Sequence, residues 1–205
     1  ALRADAEKAI VRFPTQPELL LQAGIAAKAL GNPELAIHHC ESALDYSVFD
    51  DPSLEFRIRV ALGDALNAAG KPLLAAEQYD LLLEMEPTNA TIWNNQAWYL
   101  AQAGVELDRA LTAIQRAVKL QPGVAIFEDT YAWVLHLMGD HEGAIEWITR
   151  ALASDANGGS AGMWENAGDI HEAAGNDTTA KEAWTRAKEL GANKDRMDEK
   201  INRTS

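Results

Sequence analysis

The side chains best equipped for chemistry here are the histidines, one cysteine and a run of carboxylates, and their spacing limits what they can do. His38 and His39 are adjacent. On a helix they point about 100° apart, so they cannot chelate one ion together. His136 and His171 stand alone among carboxylates and read as single, satisfied side chains. Cys40 is the sole cysteine, which excludes an internal disulfide. It lies on an apolar helical stripe and reads as buried and inert. No His-x3-His pair, Gly-rich phosphate loop or nucleophile elbow is present. The expectation is a protein without catalytic residues, metal or cofactor. What remains is binding chemistry. Trp98 and Trp133 could anchor a ligand, and nine acidic residues between 125 and 175 face a single basic one, Arg150.

The elements that must hold these residues repeat. Gly31, Gly70, Gly104, Gly139 and Gly175 each follow a helical run, spaced by 39, 34, 35 and 36 residues. Ala36, Ala75, Ala110, Ala144 and Ala180 keep nearly the same intervals. So do Cys40, Tyr79, Ile114, Ile148 and Trp184, then Ala43, Leu82, Ala117, Ala151 and Ala187. Upstream, Gly24, Gly63, Ala97, Ala132 and Gly168 share the phase. Such a pattern specifies helical hairpins: small residues let two helices approach, a larger one fills the space beside them, and glycine ends the first helix. Pro87 and Pro122 follow second helices, as does Pro14. One hairpin cannot bury its apolar face, so neighbours stack.

This arrangement resembles the tetratricopeptide repeat, whose 34-residue signature runs W-x2-L-G-x2-Y, A-x3-F, P. Trp93 and Trp164 match its tryptophan and Gly24, Gly63 and Gly168 its glycine. Tyr79 and Trp184 match its second aromatic, Pro87 and Pro122 its proline, while Cys40, Ile114 and Ile148 depart from it. The resemblance covers roughly residues 17–192. It implies an all-α, right-handed superhelical solenoid of about five hairpins in one domain, 1–205. A half repeat spans 1–13, repeats span about 17–50, 56–89, 90–124, 125–160 and 161–193, and a capping helix spans 195–202. The sequence opens inside a helical pattern and reads as a piece of a longer chain. Residues 93–202 are similar to the last repeats of bacterial tetratricopeptide proteins, many of them envelope-associated or lipoproteins, notably in Bacteroidetes. Those proteins usually read E-H-x-G-D where this chain reads Glu165-Asn166-Ala167-Gly168-Asp169. The likeness implies a bacterial envelope setting.

In this family the first helices line a concave groove that binds partners. Carried onto this sequence, the groove comprises Leu21, Ile25 and Lys28, then Arg57, Val60, Asp64 and Asn67. Asn94, Trp98 and Gln102 follow, then Asp129, Trp133 and His136, and last Glu165, Asp169 and Glu172. It starts apolar, carries two tryptophans midway and ends acidic. Each tryptophan reads two ways, as groove anchor or as core against a neighbouring helix. Trp93, Trp164 and Trp184 read as core, and Trp147 as filling between hairpins. Some relatives clamp a C-terminal carboxylate with Lys, Asn and Arg. Leu21, Ile25 and Val60 stand near those places, so that function is not expected.

The chain has 205 residues, 47% hydrophobic and 24% charged, which suffices for a sizeable core. A net charge of −13 opposes binding to nucleic acid or anionic membrane, and no apolar run is long enough to span a bilayer. The expected role is a scaffold for an extended peptide or helix held in the groove, and the acidic end would suit a basic partner. A carbohydrate or exopolysaccharide stacking on Trp98 and Trp133 is the alternative. Self-association through the N-terminal end is the third reading.

Overall fold

The computed structural model describes residues 15–47 and 51–203. Among these, all regular structure is helical and no strand occurs. The half repeat expected over 1–13 lies outside the described residues. The described chain falls into two compact units that divide between Ala103 and Gly104.

The first unit holds α1 (Pro17–Ala29), α2 (Pro33–Tyr46), α3 (Pro52–Ala68), α4 (Pro72–Met85) and α5 (Ala90–Ala103). Each helix packs on the next, and α1 also touches α3. The second unit holds α6 (Leu107–Leu120), α7 (Ala125–Leu137), α8 (His141–Ser154), α9 (Ala161–Ala173), α10 (Asp177–Glu189) and α11 (Lys194–Arg203). Here too each packs on the next, and α7 touches α9. Helix starts and stops are written locally. Prolines 17, 33, 52 and 72 open α1 to α4, where a missing N–H costs nothing. Asn32, Asp51, Asp140 and Ser160 cap α2, α3, α8 and α9, each accepting from the backbone N–H three residues on. The turn glycines Gly31, Gly70, Gly104, Gly139 and Gly175 all have φ between 67° and 83°.

The core rests on a size rule between residues 16 apart. A Cβ added to Gly24 would lie 2.7 Å from Cys40 Sγ, and one on Gly63 would lie 2.7 Å from Tyr79 Cε2. The same addition to Gly168 would come 2.2 Å from Trp184 Nε1. Where the first helix carries alanine instead, as at Ala132, the facing residue is the smaller Ile148, in the same buried cluster. Cys40, Tyr79 and Trp184 are fully buried. Burial pushes the Cys40 thiol up to about 11, so it stays a neutral packing group.

Some tryptophans sit differently from expectation. Trp93 and Trp164 are half-buried, Trp164 packing against the core with its edge at the surface, and each indole N–H donates to a backbone carbonyl six residues upstream: Pro87 at 3.0 Å and Gly158 at 2.8 Å. The polar edge must therefore stay near the loop. Trp147 stacks on Tyr131 within its own hairpin, ring centroids 4.2 Å apart, with the Arg150 guanidinium 4.1 Å over the ring.

Candidate functional site

In the first unit, six of the expected groove residues converge. Leu21, Ile25 and Lys28 from α1 and Arg57, Val60 and Asp64 from α3 line an open recess of about 380 Å³. Phe56 and Ala61 complete its lining. Leu21 is buried and forms floor rather than rim, whereas Ile25 is 45% exposed, a large apolar side chain left in solvent. Phe56 and Val60 are four residues apart on α3 and share its stripe with Arg57 and Asp64. That period was available in the sequence, but Phe56 lies two turns before Gly63, the small residue of this helix.

Ion pairs close the recess at both ends. Arg57 makes a two-pronged contact to Glu18, at 3.1 and 2.8 Å, and holds that carboxyl below its usual range. Both side chains are about half exposed, so water and salt screen the pair and it adds little to stability. At the other end Lys28 Nζ meets Asp64 Oδ2 at 2.5 Å. The Tyr99 hydroxyl donates to Asp64 Oδ1 at 2.9 Å, so one carboxylate ties α1, α3 and α5 together. Burial pushes the Tyr99 hydroxyl well above its usual range. Its ring meets Tyr79 edge-on at 5.1 Å, and Asn95 donates to the Tyr79 hydroxyl.

The other expected residues of this unit divide. Asn94 is buried and turned from solvent; its amide donates to Asn95 and its Oδ1 has no partner among the described residues. Asn94 thus sits below the surface, among packed side chains, and not on an open face. Asn67 and Trp98 are half-buried, and Gln102 is exposed.

In the second unit Asp129 accepts from Asn166 Nδ2 at 3.0 Å, which joins α7 to α9. Burial pushes its carboxyl up to about 6, partly offset by that hydrogen bond. Trp133 is half-buried, with its ring 4.9 Å from that of His136. His136 in turn lies 5.8 Å from His141, and burial lowers its pKa, with the neighbouring His141 acting in the same direction. Both Nδ1 atoms are buried without a partner among the described residues. Glu128 is only 2% exposed, and one oxygen reaches Arg150 at 3.3 Å.

Glu165, Asp169 and Glu172, expected as an open acidic end, carry α11 instead. Arg196 pairs with Glu165 at 2.5 Å, and Lys200 with Glu165 at 3.0 Å and Asp169 at 2.6 Å. Arg203 grips Glu172 at 3.0 and 2.5 Å. Asp169 also accepts from the Trp184 indole at 2.9 Å. A cap over this end was expected; its cationic partners for these three carboxylates were not.

The family model described as "Tetratricopeptide repeat" matches residues 21–90, 60–125 and 96–161, well over half of the chain. The protein belongs to the tetratricopeptide repeat family. No curated protein matches the sequence. Among solved structures it is similar to a thermophilic TPR protein of Thermus thermophilus, at 17% identity and TM-score 0.74, covering 92% of this chain and 98% of that one. It is also similar to a tetratricopeptide repeat protein from Parabacteroides merdae, at 17% identity and TM-score 0.79, covering 97% and 75%. A chain of the APC/C hetero-tetramer Cut9–Hcn1 matches at 16% identity and TM-score 0.79, covering 97% of this chain and 38% of that one. These likenesses show the fold.

Tetratricopeptide repeats mediate protein–protein interactions, and scaffolds of the family are generally non-enzymatic. In these terms α1, α3 and α5, and likewise α7 and α9, are first helices. The 380 Å³ recess lies between two of them, α1 and α3. No described helix is long and apolar enough to cross a membrane.

Proposed function

We propose that this chain is a binding scaffold whose first unit holds an extended or helical peptide of a protein partner in the α1–α3 recess. The observation that carries the reading is the recess itself, about 380 Å³, with Ile25 exposed and Phe56 and Val60 half-buried between two ion pairs. Its cations are already committed: Lys28 to Asp64 and Arg57 to Glu18. Attraction for a free carboxylate is correspondingly weak, and the recess favours an apolar side chain presented between polar neighbours. An anchor of leucine or phenylalanine size fits that volume with room for a second apolar side chain beside it.

The test is a displayed peptide library selected on the full chain, followed by titration against Ile25→Glu and Val60→Asp. Ile25 is exposed, so its replacement spares the fold. The expected result is at least about a tenfold loss of affinity in each variant with unchanged melting for Ile25→Glu. Peptides that bind wild type and Ile25→Glu equally would remove the recess from the proposal. A glycan panel run alongside, with tryptophan fluorescence as readout, separates the peptide reading from stacking of sugar on Trp98 or Trp133.

A further inference from the structure

α11 is the most weakly rooted of the described helices. Met197 is its one fully buried residue, seated against Ala180, Trp184 and Ala187, with Ile201 half-buried beside it. What else holds it is charge: Lys188 of α10 pairs with Asp198, Lys200 and Arg203 lie over the Trp184 ring, and α9 supplies the rest. Glu165 faces Arg196, Asp169 faces Lys200 and Glu172 faces Arg203, three rungs with one constant offset of 31 residues. A constant offset means that α9 and α11 run parallel and in register. The Arg196 and Arg203 side chains are more than half exposed while Glu165 and Glu172 are better covered, so salt reaches those rungs from the arginine side. The Lys200 rung alone is well covered.

We infer that this end of the second unit is a docking site for a basic amphipathic helix of a protein partner, and that α11 is a resident occupant which such a helix displaces. The seat specifies its ligand. Cations at i, i+4 and i+7 meet the three carboxylates, while apolar side chains of Met or Ile size at i+1 and i+5 enter the Ala180–Trp184–Ala187 socket. α11 itself shows that this pattern fits, through Arg196, Lys200 and Arg203 with Met197 and Ile201. An acidic helix would be repelled by the same carboxylates. Because α11 is tethered through Gly191–Asn193, it competes at high effective concentration, and a partner's apparent affinity is reduced accordingly. The site is independent of the α1–α3 recess and responds to different substitutions.

The probe is a fluorescent peptide with the sequence of residues 192–205, titrated by anisotropy against two full-length chains. One is the parent. The other carries Arg196→Glu, Lys200→Glu and Arg203→Glu, so that its own α11 is repelled while α9 is untouched. Binding to the second should be tighter by about tenfold or more, and should fall by a similar factor between about 0.1 and about 0.5 M salt. Adding Glu165→Gln, Asp169→Asn and Glu172→Gln should abolish it, as should Met197→Asp with Ile201→Asp in the peptide. Equal binding to both chains, or binding that survives neutralisation of α9, overturns the inference. Should the reversed chain fail to fold, hydrogen exchange on the parent decides: α11 amides should exchange at least about tenfold faster than those of α10. Equal protection of the two helices would mean that α11 does not leave, and the inference falls.

Discussion

Gly168 and Trp184 share one slot: a Cβ on the glycine would stand 2.2 Å from the indole nitrogen, which meanwhile donates to Asp169. Ala132 and Ile148 solve the same packing problem with a larger first residue and a smaller second. Gly168→Ala alone should cost about 1–3 kcal/mol through overpacking. Combined with Trp184→Ile, the alanine should be tolerated, giving a coupling of about 1 kcal/mol or more in a double-mutant cycle by thermal or urea unfolding. Additive costs would show that the two residues do not compete for space.

Ala110, fully buried, belongs with Ala36, Ala75, Ala144 and Ala180, the small residues of the second helices. Ala110→Trp should destabilise by about 1–3 kcal/mol or more, whereas Asp195→Ala, on exposed surface, should change stability by less than about 0.5 kcal/mol. Melting temperatures in the reverse order would show that the repeat phase is misassigned.

Asp129 makes a prediction about pH. Its folded pKa, about 6, lies above the ordinary value of 3.8, so the folded state holds the extra proton between these limits. An acid with a raised folded pKa lowers stability as pH rises through that window. Asp129→Asn keeps an acceptor for Asn166 and removes the charge. It should stabilise the chain by about 1–3 kcal/mol at pH 7 and by nearly nothing at about pH 3.5. A gain of equal size at both pH values would locate the effect elsewhere.

Glu106 opens α6 with φ of 53°, the sole positive φ at a non-glycine among the described residues. Its carboxylate pairs with the partly exposed Arg109 one turn on. Such a surface pair holds little, so Glu106→Gly should raise stability by about 0.5–1 kcal/mol, read from the midpoint of a urea melt. A lower midpoint would mean that the Arg109 pair outweighs the backbone strain.

Helix limits were legible because their causes are local: Gly31 and Gly139 stop helices wherever they fold, and Ala36 or Ala144 marks close approach without knowledge of the partner. Half of the site was legible for the same reason. Residues Ile25, Lys28, Arg57, Val60 and Asp64 follow from helical phase once the family resemblance assigns the groove to first helices, and they line one recess. Phase does not report depth, which is why Asn94 reads as groove and proves buried. Nor does it report which distant segment arrives. Glu165, Asp169 and Glu172 look like an open acidic face until α11 is laid over them, and that contact spans 31 residues. Trp93 and Trp164 show a third limit, since an indole's N–H decides where its ring can sit.

The register of α11 on α9 carries a consequence for assembly. Stacked hairpins expose apolar ends, and heterologous end-to-end contacts that do not close produce filaments. The offset that pairs Glu165 with Arg196 places Glu199 at the position equivalent to Gly168, and Glu199 is exposed. A further helix lying on α11 as α10 lies on α9 would have to bury that carboxylate without a partner, a cost of several kcal/mol. The exposed Glu199 thus makes this face of α11 a poor template for the end of a neighbouring molecule.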